Sequence, residues 1–427
     1  MTDTLEYRFL LAGELRTGTP YTVACPYDDQ SVGTVHRAKP ADLEQATQAA
    51  VRAFATTRAL PAHKRASVLR KVSETITARA EAMARTIALE AGKPIKQARV
   101  EVSRSIGTFA TAADEASRFH DEVLHLDALP GGENRPAIVR RFPIGPIAAI
   151  SPFNFPLNLV SHKLAPAIAA GCPVVLKPAT QTPISALTLG SIILEAGWPA
   201  EALSVLPINS RDATPLVEDE RFKLLTFTGS PSVGWAMKGR AGRKRVTLEL
   251  GGNAGVIIHS DADLAFAAER CVVGGFSYAG QSCISVQRIF VQEDVYEAFM
   301  DAFVPKVRAL KVGHPLDEAT DLGSVISKDE GERVGAWLAE ARAAGAECLV
   351  GGAVRDGVVQ PTVVVKAGPE LRVNNHEIFA PVVTVQTYKR FEDGLAAVNN
   401  SDFGLQAGVF TNDVKRIFQA YDSLEVG

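Results

Sequence analysis

The residues with most chemistry to offer lie in a handful of short segments. Cys283 stands in GGFSYAGQSCISVQRIFV, where a glycine-rich loop leads straight into a β-branched run that reads as a strand. A thiol at a strand edge, with little side-chain bulk before it, suits a nucleophile whose own backbone N–H can point at a bound carbonyl oxygen. The same text also suits a buried, inert cysteine. Cys271 lies on an apolar helical stretch and reads as core. Glu249, in TLELGGNAG, is a carboxylate inside an otherwise apolar strand. Burying it charged costs several kcal/mol, so it is expected either at the strand's end or as a functional group. An outward-facing Glu on an amphipathic strand is the alternative. Gly251 and Gly252 after it let a backbone or ligand come close.

Asn154, in SPFNFPLNLVSHKLAP, has an amide that can donate to an oxyanion at the entry to a helix; a plain helix N-cap is the other reading. Lys177 ends the apolar strand PVVLKP, the position where open α/β sheets bind ligands. In LLTFTGSPSVGWAMKG, Gly229, Ser230 and Gly234 bring small residues to a strand-to-helix turn, an anion site fit for a pyrophosphate. It is not G-x-G-x-x-G, and a tight βα turn would look the same.

The elements that must position these groups alternate. The N-terminal third reads as helices over 41–60, 63–91 and about 94–120. Residues 122–145 read as a β excursion. From Ile147, short apolar strands (PIAAI, PVVLKP, LSVLPI, LLTFTG, VTLEL) alternate with helices over 157–170, 184–196 and 232–239. The rhythm restarts after Gly251 with GVIIH, a helix over 264–279, SVQRIFVQ, helices over 295–310 and 330–344, CLVGG, PTVVVK, PVVTVQTY and a helix over 392–398. Strands joined by helical crossovers predict an α/β fold with parallel sheets covered on both faces.

Composition removes other classes. The chain has 427 residues, two or three domains at about 150 each. Its 45 basic and 48 acidic residues leave a net charge of −3, and no nucleic-acid partner is expected. No apolar stretch reaches the ~18 residues of a membrane span, so no membrane association is expected. MTDTLEYRFL lacks the basic start and apolar run of an export signal, which makes the cytoplasm the expected location. Five scattered cysteines without C-x-x-C argue against a disulfide framework, and eight histidines without H-x-x-x-H against a metal site.

Together, PFNFP, VVLKPA, FTGS, LELGGN and GQSCIS occur in the order and near the spacing of the aldehyde dehydrogenase superfamily, which the whole chain resembles. HEIFAPVV resembles the family's cofactor-clamping segment, and FGLQAGVFTND also reads as family sequence. The resemblance implies a Rossmann-like NAD(P)-binding domain (1–121 and 146–250), a β bridging and oligomerisation segment (122–145) and a catalytic domain (251–427). It implies a homodimer or homotetramer. Relatives continue beyond the point where this chain stops, so the pocket-closing, subunit-joining tail is expected to be absent.

By the same resemblance Cys283 attacks an aldehyde, the Asn154 amide and the Cys283 N–H hold the thiohemiacetal oxygen, hydride passes to the nicotinamide, and Glu249 activates the water that hydrolyses the thioester. An apolar strand is expected to raise the pKa of Glu249 toward a general base's range. Lys177, Thr180, Gly229, Ser230 and Gly234 are implied cofactor residues, with Glu377 on the nicotinamide ribose and Phe379 beside the nicotinamide. NAD-preferring members carry Glu where this chain has Thr180, which leaves room for a 2′-phosphate and favours NADP over NAD. Ala380 replaces the family's usual Gly and is expected to tighten its loop.

For the substrate, positions 154, 158 and 162 are four apart and are expected to share a helix face. Asn158 and His162 are polar where relatives acting on alkyl aldehydes are apolar. With Phe155, and with Arg104 on the preceding helix, they imply a short polar or anionic aldehyde, closest to the lactaldehyde, glyceraldehyde-phosphate and semialdehyde group. A solvated Arg104 and a core His162 are the alternative. A coenzyme A-acylating semialdehyde dehydrogenase and a catalytically silent, nucleotide-binding relative are the competing functions. Glu249 argues against the first, because acylating members typically lack it.

Overall fold

The computed structural model describes residues 5–427; the first four residues of MTDTLEYRFL, on which the reading of the N-terminus partly rests, lie outside them. The chain divides into two compact units, one of Met1–Val23, Ser31–Thr86 and Arg99–Glu249, the other of Ala24–Gln30, Ile87–Ala98 and Leu250–Gly427. Ala24–Gln30 and Ile87–Ala98, which a linear reading counts with the first domain, belong to the second unit. Contacts far apart in sequence decide this; the Gln97 side chain, for example, bonds the Tyr278 amide.

The first unit carries a seven-stranded sheet. Its strands are β1 (Phe9–Leu11), β2 (Glu14–Arg16), β3 (Ile147–Ile150), β4 (Val174–Lys177), β5 (Leu203–Val205), β6 (Leu224–Thr228) and β7 (Arg245–Glu249), in spatial order β7-β6-β3-β4-β5-β1-β2. The five strands from β7 to β5 run parallel, and β1 and β2 add an antiparallel hairpin at one edge. The sheet is therefore mixed, where the sequence reading expected only parallel pairing. β3 and β4 are buried along their whole length, as strands covered on both faces must be. Crossovers are made by α1 (Asn158–Ala170), α2 (Ile184–Glu195) and α3 (Pro231–Arg240). α1 stops at Gly171, whose φ of 82° is the left-handed C-terminal stop that glycine takes without steric cost.

The N-terminal helices are Pro40–Ala59, Ala62–Ala78, Ala80–Ala91 and Ile95–Ala116, so the single helix expected over 63–91 is interrupted at Arg79. The early strands Glu6–Tyr7, Phe9–Leu11, Glu14–Arg16, Thr19–Ala24 and Ser31–Arg37 were not expected, because they are short and mix polar with apolar residues. Glu122–His125 and Pro136–Val139 form an antiparallel ribbon within the expected β excursion.

The second unit carries a six-stranded sheet of β8 (Ala254–Ile258), β9 (Val286–Gln292), β10 (Glu347–Val350), β11 (Thr362–Val365), β12 (Val382–Tyr388) and β13 (Ala407–Phe410), in spatial order β10-β11-β12-β9-β8-β13. All pairs are parallel except β10 with β11. Ile258, Ile289, Val291, Val383 and Val385 pack with Phe299 and Phe303 of the helix Tyr296–Arg308. Each such side chain, fully buried, contributes about 1.5–3 kcal/mol. α4 (Leu264–Phe276) ends three residues short of the expected helix at Ala279, because Tyr278, Ala279 and Gly280 adopt φ of 50°, 50° and 68°. Among the described residues no helix is long and apolar enough to cross a membrane.

Candidate functional site

In the first unit the candidates gather at one end of the sheet. Glu249 closes β7 and pairs with Thr228, Phe227 pairs with Ile150, and Ile150 pairs with Lys177, the last residue of β4. From β3 the chain first adds β4 and β5 on one flank, and later β6 and β7 on the other. The crevice between β3 and β6 is thus a topological switch point, where open parallel sheets leave room for a ligand beyond their carboxyl ends. Ser151 and Asn154 follow β3, and Gly229 and Ser230 follow β6.

Lys177 is 7% exposed; its ammonium donates to the Pro178 carbonyl at 3.4 Å, and burial, followed by the charge of Arg37, lowers its pKa. Thr180 is exposed, and its carbonyl accepts from the Tyr21 hydroxyl at 3.3 Å. The Arg37 guanidinium lies over the Tyr21 ring at 4.5 Å. Sequence reasoning missed Arg37, which reaches this corner only through the unexpected strand Ser31–Arg37. α3 has Ser230 as N-cap without a side-chain capping bond, Pro231 at its start, and Gly234 buried in its first turn.

Asn154 is buried in the loop after β3. It is not the helix cap: α1 begins at Asn158, and the amides of Leu157 and Asn158 both donate to Glu101 Oε1 at 3.0 Å. Glu101, 1% exposed on the helix Ile95–Ala116, caps and complements the positive helix end, and nothing local in the sequence signals it.

Asn154 precedes α1, so of positions 154, 158 and 162 only the last two lie on the helix. Asn158 is buried and its Oδ1 accepts from the Thr108 hydroxyl at 3.4 Å, whereas His162 and Arg104 are exposed and Phe155 is half-buried. Partial desolvation, then the charges of Arg104 and Lys163, lower the His162 pKa against the opposing pull of Glu249. Lys163 was missed as well. It is buried, donates to Thr226 Oγ1 at 3.1 Å and Thr228 Oγ1 at 2.9 Å, and burial lowers its pKa to about 7 despite Glu249. A lysine within the apolar text of α1 was the available signal. Glu249 itself is exposed, because β7 is an edge strand of alternating exposure. The burial expected for it is absent, and the outward-facing alternative describes its position.

In the second unit the candidates lie at the opposite, amino ends of three adjacent parallel strands: Gly251 and Gly252 before β8, Cys283 before β9, Glu377 and Phe379 before β12. Cys283 is half-buried in a turn closed by Ser285 N–H donating to Ser282 O at 2.9 Å, not directly at the strand edge as expected. The loop before it is not slight either, since Tyr278 is 3% exposed. Each non-glycine residue in left-handed geometry costs about 1–2 kcal/mol, so Tyr278 and Ala279 need firm support.

A Cβ on Gly252 would lie 1.9 Å from the Cys283 carbonyl oxygen, and one on Gly251 would lie 2.3 Å from Glu377 Oε2. Glu377 Oε1 accepts the Gly252 N–H at 2.8 Å; burial raises its pKa to about 7, opposed by that bond and by Arg333. The buried Gln287 of β9 holds the Glu377 loop, accepting from Ile378 N at 2.9 Å and donating to His376 O at 2.7 Å. In that loop the left-handed residue is Phe379, with φ of 52°, and Ala380 is buried without needing positive φ.

One cluster among the described residues has metal-ligand types, Cys25, Asp28 and His314, with ligand atoms within 4.8 Å of one another. His314 Nδ1 accepts the Leu316 N–H at 3.2 Å, and its Nε2 stands 3.4 Å from Asp28 Oδ2.

A dinucleotide fits the donors present. The Ser151 hydroxyl, 4% exposed at the switch point, has no hydrogen-bond partner among the described residues. Lys177 has no acidic partner among the described residues, and the start of α3 has no side-chain cap. Orphaned buried donors and an open helix N-terminus are what an anionic ligand completes.

Residues 14–427 match the profile of the Aldehyde dehydrogenase family. A 3-sulfolactaldehyde dehydrogenase of Priestia aryabhattai is 40% identical over 430 residues, covering 100% of this chain and 90% of that protein. Among solved structures, aldehyde dehydrogenase 21 from Physcomitrella patens, in complex with the reaction product succinate, has a TM-score of 0.98 and 42% identity, covering 100% of this chain and 89% of that one. A glyceraldehyde-3-phosphate dehydrogenase from Methanocaldococcus jannaschii complexed with NADP has a TM-score of 0.91 and 35% identity, covering 95% and 88%.

Proposed function

The chain belongs to the aldehyde dehydrogenase family, an NAD(P)-dependent enzyme class, and from that premise we propose that it oxidises a short anionic aldehyde to the carboxylic acid. The observation that carries the substrate class is the placing of Arg104 and buried Lys163 within electrostatic reach of His162 in the first unit. Two of the relatives named above act on, or were captured with, sulfonate- or carboxylate-bearing compounds. A guanidinium favours such groups over alkyl chains.

In this reading the Cys283 thiolate adds to the aldehyde carbon, and the Asn154 amide and the Cys283 N–H are the donors for the resulting oxyanion. A nicotinamide cofactor held by these residues would supply the hydride acceptor that takes the intermediate to the Cys283 thioester. Glu249 takes a proton from the water that hydrolyses the Cys283 thioester, releasing acid and thiol. The first unit is the cofactor-binding domain and the second carries the nucleophile.

The cofactor is NAD or NADP. In the proposed assignment the start of α3 with Gly229, Ser230 and Gly234 takes the pyrophosphate, Glu377 the nicotinamide ribose and Phe379 the nicotinamide side. Lys177 and the Thr180 turn, with Arg37 near, take the adenosine ribose. Two cations and no carboxylate at this turn favour a 2′-phosphate, and hence NADP. By family resemblance the assembly is a homodimer or homotetramer.

The test compares kcat/KM for succinic semialdehyde, glyceraldehyde-3-phosphate, lactaldehyde and hexanal, with Cys283→Ala as control. The anionic aldehydes are expected to lead and the control to be inactive. A preference for hexanal overturns the substrate class, and oxidation by the control overturns the nucleophile.

A further inference from the structure

We propose that Tyr278 is the positioning residue for Cys283, held by Gln97, Ala91 and Lys93 in a left-handed turn that sets the course of the chain into the thiol. The inference rests on the reading of Cys283 as nucleophile. The turn is the most contorted stretch near the candidate thiol: Tyr278, Ala279 and Gly280 are successive left-handed residues, with φ of 50°, 50° and 68°. Two of the three carry a Cβ, so local preference opposes the conformation and the surroundings must impose it.

Tyr278 is restrained at three separate points. Its amide donates to Gln97 Oε1 at 2.7 Å, and its hydroxyl donates to the Ala91 carbonyl at 2.9 Å. Its ring lies under the Lys93 ammonium, which stands 4.3 Å from the ring centroid. Lys93 is 1% exposed and Tyr278 3%, so this cation–π contact is made away from water, where it is strongest. All three restraints come from Ile87–Ala98, the sequence-distant insert in the second unit. The insert is itself anchored, with Ile95 N donating to Pro315 O at 2.7 Å and Gln97 Nε2 to Asp321 O at 3.2 Å.

The turn passes this fixed direction to the thiol through few bonds. A Cβ on Gly280 would stand 2.1 Å from the Ala380 carbonyl oxygen, so the backbone there has no room to shift toward that loop. Gln281 then closes on Tyr278 O at 3.0 Å through its amide, and its Oε1 accepts from Ile326 N at 2.8 Å. Cys283 follows in the Ser282–Ser285 turn. Releasing Tyr278 lets residues 278 and 279 return to negative φ, which swings the chain at Cys283.

Tyr278→Leu removes ring and hydroxyl, and Gln97→Met removes the acceptor of the amide from a half-buried position. Both are expected to lower kcat for aldehyde oxidation by about 10- to 100-fold, the scale set by an ångström of misplacement, with KM for the cofactor within twofold of wild type. The rate of Cys283 alkylation by iodoacetamide is expected to change in the same variants, and its pH profile to shift. Tyr278→Phe, which keeps the ring and the amide contact, is expected to recover most of the loss. If Tyr278→Leu does not fold, Gln97→Met decides. Folded variants with kcat and alkylation rate within twofold of wild type overturn the inference. Wild-type activity in Cys283→Ala overturns instead the reading on which it rests.

Discussion

Gly252→Ala separates the placement of the nucleophile from the binding of the cofactor. The added Cβ would fall 1.9 Å from the Cys283 carbonyl oxygen and 3.1 Å from its carbonyl carbon, whereas real Cβ atoms essentially never approach closer than 3.0 Å. The clashing atom is backbone, so relief requires the Cys283 turn to retreat by more than an ångström or β8 to shift. Overpacking of this kind costs about 1–3 kcal/mol of stability. A displacement of about 1 Å at the attacking group costs about 100-fold in rate, equivalent to about 2.7 kcal/mol of barrier. The expected outcome is a folded enzyme with kcat down about 100-fold and near-normal cofactor affinity. Gly251→Ala is the matched control. Its Cβ meets Glu377 Oε2 at 2.3 Å, the mobile end of a side chain, which swings away and gives up the Gly252 N–H bond. A charge-assisted hydrogen bond is worth about 1.5–3 kcal/mol, so the cofactor KM should rise about 10- to 100-fold with kcat largely kept. Steady-state kinetics, with the thiol-ester burst measured by rapid quench, read both. A Gly252→Ala enzyme that folds and retains kcat within threefold refutes the steric coupling between Gly252 and the nucleophile.

The remaining predictions concern charge. Glu377 has its folded pKa raised by burial from 4.5 to about 7, so the folded state holds the proton more tightly. Its contribution to stability is present below pH 4.5 and lost as pH rises to 7, and since ribose hydroxyls need an ionised acceptor, cofactor KM should increase as pH falls below about 7. Glu377→Gln should flatten that profile; an unchanged profile removes Glu377 from cofactor binding. Lys163 has its folded pKa lowered by burial from 10.5 to about 7, so it destabilises the fold fully below pH 7 and progressively less toward pH 10.5. Lys163→Met should therefore unfold at higher temperature than wild type at pH 6, by about 2 kcal/mol after losing its two threonine bonds, with the gap closing at high pH, and its pH–rate profile should shift. A gap that does not narrow between pH 6 and 10 refutes the buried-charge account. Thr180→Glu should move kcat/KM at least tenfold from NADP toward NAD, because a carboxylate beside Lys177 repels a 2′-phosphate and accepts from ribose hydroxyls. An unaltered NADP/NAD ratio places the 2′-position elsewhere.

Composition, strand–helix alternation and the order of five motifs were enough to read an α/β fold and the aldehyde dehydrogenase family from the amino-acid sequence. Lys177 at the carboxyl end of its strand and Gly229–Ser230 at the entry to α3 follow from local patterning, because apolar runs and turn residues act over a few neighbours. The rest depended on which strands become neighbours. Glu249, readable as a strand end, a functional group or an outward-facing residue, is exposed because β7 is an edge strand, and of the two readings of Asn154 the helix cap falls because Glu101, from a distant helix, takes that place. Arg37 and Gln97 lie outside the motif segments, and Lys163 and Tyr278 lie inside them without a role their own neighbours announce; all four acquire their electrostatic partners, their burial or their restraints from segments far away in the chain. The sequence alone therefore determined which residue types are present and in which elements. The tertiary structure decided which end of each sheet they occupy and how far each charge is removed from water, since burial and electrostatics are set by neighbours in space and not in sequence.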